Sequence, residues 1–205
     1  MDAVVNDKRE RILAAASDLI VKNGLQCSMA EIAQTAGVAT GTLYIYFSSK
    51  EEMVRGVYQR LTAKVGASLI VEYGPDVSHE ARVRRYIDDY IRLIWADPAR
   101  AILFEYLSNV PLLPPGELRR LFAPVTDFTA KVFTEARAAG VLRDFDPNVM
   151  GAYVGGGIRN TLKWRRANGS PLTEAEHRQI AGMCWSAIAR STQEQALPGA
   201  AERQN

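Results

Sequence analysis

The chain has 205 residues, 47% hydrophobic and 23% charged, enough to bury roughly 70% of its unfolded surface; disordered, collagen-like and membrane-embedded classes are excluded. Twenty-five basic and 23 acidic side chains leave a net charge of +2, which neither proposes nor excludes a nucleic-acid partner. No stretch approaches the roughly 18 apolar residues of a membrane span, the N-terminus does not resemble a signal peptide, and Cys27 and Cys184 read as free thiols of a cytoplasmic protein.

Apolar residues recur at spacings of three and four along most of the chain, so it reads as all-helical. A first helix is expected from Asp7 to Asn23, with Gly24 just past its end. Ser28-Met29-Ala30-Glu31 is a capping box: hydroxyl and carboxylate each satisfy a backbone N–H at a helix start. The short second helix ends at Ala36. Gly37-Val38-Ala39 then turns the chain into a third helix from about Thr40 to Phe47. Ser49-Lys50-Glu51-Glu52 offers another capping box and opens a long helix from about residue 50 to 70.

Two short helices joined by a glycine-containing turn, after a supporting helix, form a helix-turn-helix. At 100° per residue Leu43 and Phe47 share one side of the third helix, and Gly41 and Ile45 the other, between Thr42, Tyr46 and Tyr44. Such a face suits the major groove. Ile45 packs on thymine methyls, Thr40 and Thr42 donate to phosphates or base edges, and Tyr44, Tyr46 and Lys50 reach phosphates from two sides, with helix N-termini such as that at Ser28 adding positive dipole ends. From Ile32 to Ser49 there is no charged side chain, and residues 1–60 carry seven basic and seven acidic groups.

Ile32-Ala33, Ala36-Gly37-Val38, Gly41-Thr42-Leu43-Tyr44, Tyr46-Phe47 and Ser49-Lys50-Glu51-Glu52 together resemble the N-terminal signature of the Tet repressor (TetR) family of bacterial transcriptional regulators. One departure is Ala39, where family members often carry a capping serine. The resemblance implies a DNA-binding domain over residues 1–52 and a helical effector-binding and dimerisation domain over 53–205. It also implies a homodimeric repressor that holds a palindromic double-stranded DNA operator and leaves it when a small effector binds.

Further helices are expected from Ser78 to about Asp97, from Pro98 through Leu107 to Val110, from Glu117 to Gly140, from Pro147 to about Asn168, and from Thr173 to about Gln193. Pro111-Leu112-Leu113-Pro114-Pro115-Gly116 is a break. Pro124 should kink the helix around it or restart it. Thr173-Glu174-Ala175-Glu176 is a third capping box, and a polar tail follows from about Gln193.

Aromatic residues at core-facing positions, Tyr90, Trp95, Phe104, Tyr106, Phe122, Phe128 and Tyr153, fit either the core or the wall of a pocket for an apolar or amphipathic effector; Arg159 is a candidate for its polar group. Gly155, Gly156 and Gly157 lie inside a helix at a cost of about 1 kcal/mol each, which calls for close approach across a dimer interface, a pocket floor or a kink. Because the family dimerises through its last two helices, Gly155, Gly156, Ile180, Cys184 and Ile188 are the interface candidates. Lys163, Arg165 and Arg166 read as a solvated helix end, and His79 and His177 as surface residues without metal-ligand spacing. No nucleophile-base set or cofactor fingerprint supports the alternative of a helical enzyme; neither metal nor cofactor is expected. An architectural DNA binder is the remaining alternative.

Overall fold

The computed structural model describes residues 2–109 and 113–191, with side chains over 7–106 and 113–191. Val110, Pro111 and Leu112, and the expected tail from Gln193, lie outside them. Among the described residues the regular elements are helical: α1 (Asp2–Asn23), α2 (Met29–Ala36), α3 (Thr40–Tyr46), α4 (Lys50–Leu69), α5 (His79–Ala96), α6 (Pro98–Asn109), α7 (Pro115–Ala138), α8 (Pro147–Ala167) and α9 (Glu174–Ile188). None is long and apolar enough to cross a membrane. The all-α class follows from the spacing of apolar residues, and so do most boundaries.

Local chemistry sets the helix ends. Ser28 Oγ accepts from Glu31 N–H at 3.2 Å while the Glu31 carboxylate takes the Ser28 N–H at 2.6 Å, and Thr173 with Glu176 repeats the arrangement on α9. Gly37 closes α2 in the left-handed region at φ +65°, with Val38 N–H donating to Ala33 O at 3.0 Å; glycine is favoured there because it has no Cβ to clash. The expected box at the start of α4 is modified: Glu52 N–H donates to Ser49 Oγ, but its carboxylate reaches back to Ser48 N–H and Oγ at 2.7 and 2.6 Å.

Two expectations are corrected, and at Pro124 one of two alternatives falls away. The first helix begins at Asp2 rather than Asp7. At Pro124 α7 does not restart. Helix α9 ends at Ile188, not near Gln193, because the following backbone turns aside to pair with the segment after α7: Arg143 N–H donates to Ile188 O and Arg190 N–H to Val141 O.

The chain divides into two compact units, residues 1–67 with 96–124, and residues 68–95 with 125–205. In the first, α2 packs on α1 and α3 on α2, and the core is built from Ile12, Leu13, Ile20, Ile32, Leu43, Phe47, Met53 and Tyr58. In the second, α5, the end of α7, α8 and α9 bury Ile87, Ile91, Phe133, Val154, Ile158 and Leu162. Phe133 meets Tyr86 edge to face, the ring centroids 5.5 Å apart.

Candidate nucleic-acid interface

The α2-turn-α3 segment is held from behind by α1. Arg11 of α1 donates through Nη2 to the carbonyl of Ala36 at 2.7 Å and to that of Gly37 at 3.2 Å, so a cation completes the C-terminal end of α2, where the helix dipole is negative. Arg9 lies over the Phe47 ring at 5.3 Å. Sequence inspection does not single out either arginine, because each acts on a partner some 25 to 40 positions away.

On α3 the two faces separate as the helical period requires. Leu43 and Phe47 are buried, whereas Ile45 is 81% exposed and Tyr44 49% exposed. Thr40 and Gly41 are exposed, Thr42 and Tyr46 half-buried. A Cβ built on Gly41 would meet nothing within 4 Å, so that position is open to a close partner. Ala39 stands as the N-cap of α3 with no side-chain hydrogen bond, which leaves the first backbone N–H groups of the helix without a capping side chain. An exposed isoleucine flanked by hydroxyls, phenols and backbone donors matches base edges and phosphates without fixed charge.

The cations beside this face are already engaged. The Lys50 ammonium donates to the Leu25 carbonyl. Leu25 N–H in turn donates to the Tyr106 hydroxyl of α6 at 3.3 Å. Arg55 on α4 pairs with Glu117, its Nη2 lying 3.3 Å from Oε2, and holds that carboxyl below its usual range. Hydrogen bonds from Ser28 do the same for Glu31 and those from Ser48 for Glu52. Burial raises the Cys27 thiol, partly offset by Lys50, so Cys27 is a core residue rather than a nucleophile.

The expected effector residues fall in both units. In the first, Phe104 and Phe122 pack edge to face at 5.7 Å, and Tyr106 is pinned to Leu25. In the second, Arg159 Nη1 donates to the Tyr90 hydroxyl at 2.5 Å, Phe128 stacks on Tyr73, and Trp95 lies under the Arg166 guanidinium at 4.9 Å. Burial pushes the Tyr90 phenol up, against the pull of Arg159. Tyr153 corrects the expectation of a core-facing ring: it is 64% exposed. Two further surface readings change. Arg166 donates to the carbonyls of Ile94 and Trp95, and His177 meets Asp88 at 2.9 Å.

The interface candidates are redistributed as well. Ile180, Cys184 and Ile188 are buried in the core of the second unit, so they are not an outward face. Gly155 is buried where a Cβ would stand 3.2 Å from Arg159 Nη1 and 3.4 Å from the Tyr90 hydroxyl, while a Cβ on Gly156 or Gly157 would meet nothing. The outer faces of α8 and α9 instead display Val149, Tyr153, Trp164 and Met183.

Two short helices joined by the turn at Gly37, with an uncharged outer face on α3, make this segment a helix-turn-helix. Residues 12–57 match the model of the bacterial regulatory proteins of the tetR family. Within those residues the chain is similar to that family's N-terminal domain. The HTH-type transcriptional regulator YvdT of Bacillus subtilis is 39% identical over 62 residues, covering 30% of this chain and 32% of that protein. The chain spans between about a quarter and a half of the length of the curated relatives it matches.

Solved structures extend the likeness along the chain. A TetR family transcription regulator from Marinobacter aquaeolei superimposes with a TM-score of 0.83 at 17% identity, covering 93% of this chain and all of that one. FadR from Bacillus subtilis, in complex with stearoyl-CoA, gives 0.72 at 22% over 87% and 98%. AibR, in complex with isovaleryl coenzyme A and operator DNA, gives 0.71 at 21% over 88% and 97%. At these identities the likeness is one of fold.

Proposed function

We propose that the chain is a homodimeric, ligand-responsive repressor that holds a palindromic operator with two copies of α3 in major-groove half-sites. Residues 1–52 are the reader, with Ser28, Thr40, Gly41, Thr42, Tyr44, Ile45, Tyr46 and Lys50 at the DNA. The observation that carries this reading is the 81% exposed Ile45 at the centre of an uncharged face. A partner-free isoleucine in that setting gains nothing in water and has thymine methyls to cover it in the groove.

Dimerisation is supported by the apolar outer face of α8 and α9. The effector is a small amphipathic molecule received by residues 53–205, and the acyl-CoA complexes of FadR and AibR support an acyl thioester of coenzyme A. Arg159, paired with Tyr90, is the group placed to orient its polar part. Operator release is then a population shift, a coupling of about 1 to 3 kcal/mol lowering DNA affinity 5- to 150-fold.

The test selects bound fragments from random and genomic DNA and titrates them by mobility shift with acyl-CoAs of increasing chain length. A saturable palindromic site released by one class of chain length supports the reading. A ladder of unsaturable, sequence-independent complexes refutes the operator, and undiminished affinity at every chain length refutes the effector class.

A further inference from the structure

One cation near α3 is engaged differently from its neighbours. Arg11 is spent on the carbonyls of Ala36 and Gly37, Lys50 on that of Leu25, and Arg55 on Glu51 and Glu117. Arg9 lies over the Phe47 ring at 5.3 Å, and its guanidinium has neither a hydrogen bond nor an ion pair with any described residue. A cation-π contact of this kind satisfies the charge and leaves the N–H fork for an acceptor outside the fold.

Packing fixes where that fork stands. Arg9 precedes Leu13 by one turn on the same face of α1, and Leu13 and Phe47 both press on Gly56 of α4, where a Cβ would come within 2.9 Å of Leu13 Cδ2 and 3.0 Å of Phe47 Cε1. Phe47 closes the C-terminal end of α3, its N–H donating to Leu43 O at 2.9 Å. The guanidinium therefore stands at that end, beside half-buried Tyr46 and exposed Ser48 and Ser49. The carboxylates closest to it are committed: Glu52 accepts the Ser48 N–H and hydroxyl at 2.7 and 2.6 Å, and Glu10 meets Arg60 at 3.0 Å. Those Ser48 hydrogen bonds hold the Glu52 carboxyl low, with Arg55 and then Arg9 adding to them.

We propose that Arg9 is a DNA-backbone contact, its guanidinium taking a phosphate beside the half-site that α3 enters. The contact rests on the operator reading and adds to it a residue outside the helix-turn-helix. Helix α3 has seven residues, about 10 Å of length, against a major groove about 12 Å wide. Groups at either end of α3 thus come within side-chain reach of the strand edges. Holding the long side chain on Phe47 orders it before DNA arrives, which lowers the entropy cost of the contact. A phosphate contact made from α1 positions the protein without reading sequence.

The test measures DNA affinity of the full chain across a salt series, on a selected operator and on a random-sequence duplex, beside urea denaturation. Arg9→Met keeps the apolar stem and removes the charge. Affinity should fall on both duplexes, and the slope of log affinity against log salt should become shallower by about 0.9 for each reader bound. With two readers on an operator, the parent's advantage over Arg9→Met should shrink about twelvefold between about 50 and 200 mM salt. Arg9→Gln, polar and neutral, should give the same change and replaces Arg9→Met if that variant loses its folded circular dichroism. Arg9→Lys, which keeps the charge, should retain the parent slope. A neutral variant with the parent's slope overturns the proposal even where affinity falls, since a cover on Phe47 acts through stability and not through counterions. A parent that selects no operator refutes the operator reading alone, and the random-sequence duplex then decides on Arg9. A parent that binds neither duplex overturns both.

Discussion

The Tyr106 hydroxyl of α6 accepts the backbone N–H of Leu25 at 3.3 Å, and the carbonyl of the same Leu25 accepts the Lys50 ammonium of α4. The link between α1 and α2 is therefore fastened through both polar atoms of one residue. Gly24 beside it, at φ +61°, would bring a Cβ to 3.1 Å from that hydroxyl, so the phenol packs closely against a position that both space and backbone favour as glycine. Tyr106→Phe should lower stability by about 0.5–1.5 kcal/mol, the usual net value of one hydrogen bond. Amide exchange at Leu25 should accelerate while the core of the second unit keeps its protection; unchanged exchange would remove Tyr106 from this role.

Opposite faces of α3 predict opposite phenotypes. Ile45→Ala, at an exposed site, should change stability by less than about 0.5 kcal/mol and alter base preference at one or two positions of each half-site, where a mismatch is worth about 1–3 kcal/mol. Leu43→Ala, fully buried, should cost about 2–5 kcal/mol of stability. Urea denaturation together with binding to a panel of singly substituted operators separates the two. Loss of affinity that is uniform across the panel for Ile45→Ala would make Ile45 a contact without sequence information.

Why the reader was so legible follows from those two residues. The helical period alone sets Leu43 and Phe47 against Ile45, and caps such as Ser28 with Glu31 act over three positions, so both are written locally. Arg11 closing α2 from 25 positions away and Tyr106 reaching Leu25 across 81 are tertiary and leave no local mark. Tyr153, Ile180 and Cys184 show a different limit. Helices α8 and α9 carry apolar side chains on more than one face, so spacing identifies the stripes but does not say which one turns inward. The glycine run reads as one feature in sequence and resolves into two: Gly155 admits Tyr90 and Arg159, and Gly156 and Gly157 face open space.

Charge sets the salt response. No side chain between Ile32 and Ser49 is charged, Arg11 is committed to the end of α2, and Lys50 to Leu25. Each cation-phosphate contact adds about 0.9 to the slope of log affinity against log salt. With the nearest cations of each reader held by carbonyl groups of the fold, that slope should stay well short of about −5. Mobility-shift titrations across a series of potassium chloride concentrations check this; a slope near −10 would bring distal lysines and arginines into the interface.

Acid should loosen the joint between α8 and α9. Glu176 accepts from Arg165, with Nη2 at 3.1 Å, and closes the Thr173 capping box; the guanidinium first, then the Thr173 backbone and hydroxyl, bring its carboxyl down to about 2. An unfolded glutamate titrates near 4.3. Because the folded value is depressed, the stabilisation is complete above that unfolded value and is lost as pH falls through about 2. Glu176→Gln should therefore be less stable than the parent at pH 7, with the difference shrinking between about pH 5 and 2. Melting temperatures of both proteins over that range provide the measurement, and parallel curves would deny Glu176 the role.

The outer face of α8 and α9 makes the last prediction. Val149, Tyr153 and Trp164 recur along α8 at spacings of four and eleven, close to whole turns, and Met183 stands exposed on α9. Gly156, Gly157 and Gly182, where a Cβ would meet nothing, leave room for another backbone to approach. Large apolar side chains concentrated in this way mark a protein-protein surface, and in a two-fold dimer the same patch meets itself. Tyr153→Glu places two carboxylates near the axis and should convert dimer to monomer in sedimentation equilibrium at micromolar concentration. Cys184→Ala, inside the core, should lower the melting temperature and leave the association state unchanged. If the parent sediments as a monomer, or Tyr153→Glu remains dimeric, the contact between copies lies on another face and the pairing of two α3 helices on one operator needs a different geometry.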